Sequence, residues 1–166
     1  EMMMRRMWKC AVPAAALLAL ASCGKPAAEA EGTAKPADSA ADVEAIKKLI
    51  LDEGKGASTQ DIDLTMSAYC NSPDFVLYEA GPYVVRGYDA LKETYLAYFK
   101  AFPKAEVRAE DIQAYASGDT GFGFSLETWT FTTPDGKKRE DLHRVTRGYR
   151  KVDGKWCVMH ENDSIP

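Results

Sequence analysis

The sequence predicts an α+β domain with three helices and six strands, and two observations predict it. Between Asp42 and Phe102, apolar residues recur at helical spacing in three stretches, with one pair of short strand-like runs among them. From Ala105 to Asn162 the period changes to two, in four runs separated by turn residues. Helices interleaved with a strand pair and followed by four antiparallel strands give an α+β pattern.

The first helix carries Val43, Ile46, Leu49 and Ile50 on one side and is expected to run to about Glu53, with Gly54 and Gly56 ending it. Ser58 is placed to cap the second helix, supported by Asp61 three residues later. Ile62, Met66 and Tyr69 mark its inner face, and Asn71-Ser72-Pro73 stops it. Asp74 to Glu79 reads as a short strand, Gly81-Pro82 as a turn, and Tyr83 to Gly87 as a second strand. Tyr88 to Phe102 is the third helix, with Leu91, Tyr95, Tyr98 and Phe99 on one side and Pro103 closing it. The long strands follow: Ala105–Ser117, expected to bend; Gly121–Thr133, with Phe122, Phe124, Leu126 and Thr128 on one face; Arg139–Val152; and Lys155–Asn162. Pro134-Asp135-Gly136 and Asp153-Gly154 supply the hairpin turns. Strict alternation in the last strand puts Trp156, Val158 and His160 on one face and Cys157 and Met159 on the other. A strand apolar on both sides is covered on both sides.

The N-terminal stretch has a different character. Arg5, Arg6 and Lys9 precede an apolar run from Ala11 to Ala21, too short for a permanent membrane span, which reads as an export signal over residues 1–22. The run ends in Leu20-Ala21-Ser22-Cys23, which resembles the lipobox of bacterial lipoproteins. That resemblance implies lipidation of Cys23, and Gly24 rather than aspartate after it implies the outer membrane, facing the periplasm. Multiple acyl chains make a stable anchor. Residues 23–41 follow as an Ala-, Pro-, Glu- and Lys-rich linker without a large apolar side chain, expected to act as a tether. The folded domain is expected over residues 42–166.

Removing residues 1–22 takes away three basic residues and one acid, leaving 18 Lys+Arg against 24 Asp+Glu. A chain this acidic lacks the basic footprint of a nucleic-acid binder. Cys70 and Cys157 then remain in a compartment expected to be oxidising, either bridged or as two buried thiols.

Three segments carry a family resemblance: "QDIDLTMSAYCNSPDFVLYEAG", "VVRGYDALKETY" and "HRVTRGYRKVDGKWCVMHENDSIP". Their order and spacing resemble the SnoaL-like branch of the nuclear transport factor 2-like (ketosteroid isomerase-like) superfamily. The resemblance implies a cone, a cystatin-like roll in which a curved antiparallel sheet wraps three helices around an apolar pocket. It also implies homodimers through the outer sheet face.

Catalytic relatives in that superfamily use a pocket carboxylate as base, with proton donors that stabilise an enolate. By resemblance Glu79 stands at the base position; Tyr78, Tyr83 and His160 are the candidate donors, the two tyrosines placed by no motif. The second acid of the isomerases is replaced by a neutral residue near Thr146, and Asn162 stands where related tails often have a histidine. Trp129, Arg144, Trp156 and His160 are the candidate pocket residues, with an arginine, Arg144 or Arg147, to clamp a ligand carboxylate. For either arginine, cross-strand pairing with Glu127, Glu140 or Asp141 is the competing role. The Phe122/Phe124 pair and the tryptophans are expected mainly in the core. His143 and His160 have no third ligand at metal spacing, and no nucleotide-binding pattern occurs, so neither metal nor cofactor is expected. The expectation is an envelope-anchored domain that binds a small apolar or carboxylated molecule. The alternative is an isomerase or dehydratase with Glu79 as general base.

Overall fold

The computed structural model describes residues 40–166; the expected export signal, Cys23 and the expected linker through Ser39 lie outside the described residues. The elements run α1 (Ala40–Thr59), α2 (Ile62–Met66), β1 (Val76–Tyr78), β2 (Val84–Arg86), α3 (Tyr88–Ala101), β3 (Lys104–Ser117), β4 (Thr120–Thr132), β5 (Lys138–Val152) and β6 (Lys155–Ser164). They form one six-stranded sheet in the order β2-β1-β6-β5-β4-β3. Every pairing is antiparallel except β1 with β6, which is parallel. The helices pack on one face, so the fold is the expected curved α+β sheet around helices.

Helix α1 runs through Gly54 and Gly56 rather than stopping at them. The reason is close packing. A Cβ on Gly56 would sit 2.5 Å from the Thr65 backbone nitrogen, and one on Gly54 would press on Val107. These glycines admit α2 and β3, and tertiary contact outweighs their poor helix propensity. The cap of α2 is Asp61, whose side chain accepts from Leu64 N at 3.0 Å. Ser58 instead donates to Gly54 O and accepts from Val107 N at 2.8 Å, tying α1 to the sheet.

The inner face of β4 is glycine where α1 crosses. A Cβ on Gly121 would meet Ile46 and the Tyr115 carbonyl, both at 2.7 Å. Small inner positions send the alternate side chains outward. Phe122 is therefore 51% exposed and stacks on Tyr115 at 4.7 Å on the outer face, not in the core.

Two bulges shape the sheet. The β3–β4 register shifts between Glu110 and Gln113, beside Asp111 with its φ of 49°, and this is the expected bend. The second lies in β6, where Gly148 faces His160 and Tyr149 faces Val158, leaving Met159 as an extra residue. The bulge reverses the alternation after Val158. Trp156 and Val158 point inward, and beyond the bulge Glu161 is the buried one. The expectation that His160 shares their face is thereby overturned: its Nδ1 meets the Val76 carbonyl at 2.9 Å and its ring meets the Tyr78 edge at 5.5 Å.

The core gathers Ile46, Ile50 and Ala57 from α1, Leu91 and Tyr95 from α3, and Phe75, Leu77, Tyr149, Trp156 and Val158 around them. Cys70 and Cys157 are bonded, joining the segment after α2 to β6 across 87 residues.

Candidate functional site

The inner face of the sheet holds a charge cluster. Arg147 of β5 is 2% exposed, and so, within a percent, are Glu53 of α1, Glu127 of β4 and Glu161 of β6. Arg147 Nε donates to Glu161 Oε2 at 2.7 Å, and one terminal nitrogen donates to Glu127 Oε1 at 2.6 Å. The other terminal nitrogen reaches Glu53 Oε2 and Glu127 Oε2, each at 3.4 Å. Tyr95 donates to Glu53 at 2.6 Å, and Tyr69 donates to Glu161 at 3.1 Å. The two phenols meet at 3.0 Å. Ser125 and Trp129 complete the shell of Glu127.

One cation among three carboxylates leaves a negative excess, and protons meet it. Burial pushes Glu53 up to about 7 and Glu161 up to about 8, against the pull of Arg147. Burial acts on Glu127 as well, but there Arg147 and its hydrogen bonds prevail and hold the carboxyl below its ordinary value. Arg147 stays charged, since its carboxylate neighbours outweigh the cost of burial.

Beside this cluster opens a cavity of about 220 Å³. Its walls come from the β1–β2 turn, from α3 and from the ends of β4, β5 and β6. Leu77, Leu91, Phe102, Trp129, Phe131 and Ile165 supply apolar surface. Glu79, Tyr98, Asp141, His143, Glu161 and Asp163 supply polar groups. Tyr98 OH donates to both Glu79 oxygens at 3.1 Å. His143 Nδ1 stands 3.7 Å from Asp163 Oδ2, an ion-pair distance, and the Asp163 carboxylate raises His143 above its ordinary value against the effect of burial. Asp163 Oδ1 and His143 Nδ1 are buried without a hydrogen-bond partner. Groups in that condition inside a cavity are candidates for binding or proton transfer.

The expected site residues divide into two sets. Glu79 and Trp129 line the cavity. Tyr78, Tyr83, Arg144, Trp156 and His160 do not line it. Tyr78 and His160 lie on the outer face because of strand parity and the β6 bulge. Tyr83 is 69% exposed in the β1–β2 turn. Arg144 has the outward parity of β5 and donates to the Ile165 carbonyl. Trp156 is a core residue, donating to Asp42 at 2.8 Å with Lys151 over its ring. Neither arginine is free for a ligand carboxylate, since Arg147 is saturated by three glutamates and Arg144 faces out.

Tyr98, His143, Asp163 and Glu161 were not singled out as site residues by the pattern reading, although His143 had its inward parity legible with Val145, Arg147 and Tyr149. Glu53 carried a signal as well, as the acid that continues the Ile46, Ile50 stripe at helical spacing.

The comparisons with known proteins agree with this architecture. A nuclear transport factor 2-like protein of unknown function from Pseudomonas putida KT2440 is 23% identical, covering 78% of this chain and 89% of its own, with a TM-score of 0.68. A candidate dehydratase of the same family from Streptomyces avermitilis is 14% identical, covering 74% of this chain and 95% of its own, with a TM-score of 0.67. A candidate scytalone dehydratase from Novosphingobium aromaticivorans is 15% identical, covering 74% and 83%, with a TM-score of 0.67. These likenesses establish the fold. No curated protein matches the sequence. The SnoaL-like domain family matches residues 39–166, which include every described residue, and the chain belongs to that family.

Proposed function

We propose that the domain binds a small, partly aromatic organic molecule in the cavity beside His143 and Asp163, and does so at the bacterial cell envelope. The observation that carries the reading is the cavity itself, where aromatic walls meet a few convergent, incompletely bonded polar groups. Its acidic lining favours a neutral or cationic molecule over the carboxylated ligand that the sequence suggested. A thermal-shift screen of small aromatic compounds tests it. Saturable stabilisation that disappears in Trp129→Ala supports the reading, and a library without a single stabilising compound opposes it.

One observation favours a second, catalytic reading. Two titratable pairs, Glu79 with Tyr98 and His143 with Asp163, line the same cavity, as an isomerase or dehydratase requires. The names of the two candidate dehydratases point the same way. Deuterium exchange at the α-carbon of a small aromatic ketone would be catalysed, and Glu79→Gln would abolish it. Exchange at the buffer rate in the parent chain removes this reading.

For location, the lipobox-like Leu20-Ala21-Ser22-Cys23 supports a lipid anchor, and a Cys70–Cys157 bond suits an oxidising compartment. Cys23→Ser would move the protein from the membrane fraction to the soluble periplasm; an unchanged distribution refutes the anchor. The outer-face patch of Tyr115, Phe122, Leu126 and Leu142, all exposed, supports a homodimer across the sheet. Sedimentation would then show a dimer that Phe122→Glu separates, and a monomer at all concentrations would exclude it.

A further inference from the structure

We propose that the molecule taken by the cavity is an organic amine in its cationic form, seated on Glu161 and Asp163. The inference rests on the reading of the cavity as a small-molecule site and names the chemistry of its ligand.

Four carboxylates line the cavity: Glu79, Asp141, Glu161 and Asp163. The basic groups on its walls are Arg139, held by Asp141 at 2.8 Å, and His143. Arg147, behind the wall, is divided among three glutamates. A ligand carboxylate entering here would meet like charge without a free cation, whereas an ammonium meets its complement.

Glu161 is 3% exposed. Its Oε2 accepts from both Arg147 and Tyr69, while Oε1, which is not fully enclosed, accepts from no donor among the described residues. Asp163 Oδ1, two residues along the strand, is buried and equally without a donor. For the enclosed Asp163 oxygen the lack of a donor is costly. An ammonium brings three N–H donors and no acceptor, which matches what the two acids lack.

Trp129 and Phe131 stack at 5.8 Å and line the cavity with Tyr98. Such faces take the apolar body of an aryl or alkyl amine and attract its charge. In the empty protein a proton on Glu161 meets the local excess of negative charge. The groups that face Glu161 are Arg147 from β5, Glu127 from β4, Glu53 from α1, Tyr69 after α2, Tyr95 from α3 and Asp163 on its own strand. An ammonium replaces that proton, so amine affinity rises as pH is raised toward about 8, where Glu161 ionises unaided.

The test is calorimetric titration of the full chain with three probes of similar shape: 2-phenylethylamine, 2-phenylethanol and 3-phenylpropionate. The amine is expected to bind about tenfold or more tightly than either other probe, the effect of one charge-assisted hydrogen bond. Glu161→Gln and Asp163→Asn should each remove about tenfold of amine affinity and weaken alcohol binding by less, since the alcohol carries no charge. The second variant lies outside the Arg147 cluster and keeps the test open if the first fails to fold. Binding of the alcohol or the acid as tight as that of the amine overturns this inference and leaves the cavity a small-molecule site. Unchanged amine affinity in Asp163→Asn also overturns it. Binding of none of the three overturns both readings.

Discussion

Arg147 is the residue on which the interior depends. It is buried, and three carboxylates from three different elements converge on it. Removing one member of such a group leaves charge buried without its partner, at a cost of about 3–5 kcal/mol. Arg147→Ala is therefore expected to lower the unfolding free energy by about that amount in urea titration. A loss of less than about 1 kcal/mol would mean that water reaches the glutamates. Much of this cluster was legible as parity and spacing. Arg147 alternates with Val145 and Tyr149, and Glu53 follows Ile46 and Ile50 on one helical stripe. What one strand or one helix cannot reveal is convergence, because the four partners lie up to about a hundred residues apart and meet only through the sheet order.

At the scale of elements, the long strands and α3 followed directly from their periods, since each has one face on the core. The errors occurred where another force overrode periodicity. Gly54 and Gly56 read as a stop and are instead close-packing positions inside α1. Phe122 and Phe124 read as core, yet Gly121 and Gly123 hold the inner positions so that Ile46 can approach. Gly121→Ala would place a methyl 2.7 Å from Ile46 and is expected to cost about 1–3 kcal/mol by thermal denaturation, as overpacking does; a neutral effect would show that α1 is not seated there. The β6 bulge is the most consequential element, because a single extra residue, Met159, exchanges the faces of His160 and Glu161. Nothing in "CVMHEND" marks it, since both faces there are apolar or polar without order. The disulfide anchors this strand. It closes an 87-residue loop, so its reduction is expected to cost at most about 4–5 kcal/mol on chain-entropy grounds. A melting temperature unchanged by dithiothreitol would show that the bond does not form.

At the scale of the whole molecule, the buried acids make stability depend on pH. Glu53 and Glu161 hold protons up to about 7 and about 8 in the folded state, but release them near the ordinary carboxylate value when unfolded. The folded state then binds more protons across that interval, so stability is complete below the unfolded value and is lost as pH rises through the folded one. His143, also raised, acts in the same direction. The melting temperature is expected to fall between about pH 5 and pH 9, and Glu53→Gln is expected to flatten the decline. A flat or rising curve in the parent chain would show that the cluster is hydrated. The overall fold was readable because order and spacing of elements survive local errors. The cavity was only half readable: Glu79, Trp129 and the parity of His143 were legible, while Asp163 and Glu161 needed the true register of β6.

The central claim is that a small molecule enters this cavity, and the domain contains its own control. Its two tryptophans are Trp129, on the cavity wall, and Trp156, in the core against α1. Their indole N–H resonances, followed during titration with 2-phenylethylamine, test the claim most directly. The Trp129 signal is expected to shift saturably while the Trp156 signal stays in place. A stationary Trp129 signal, or movement confined to Trp156, would contradict it.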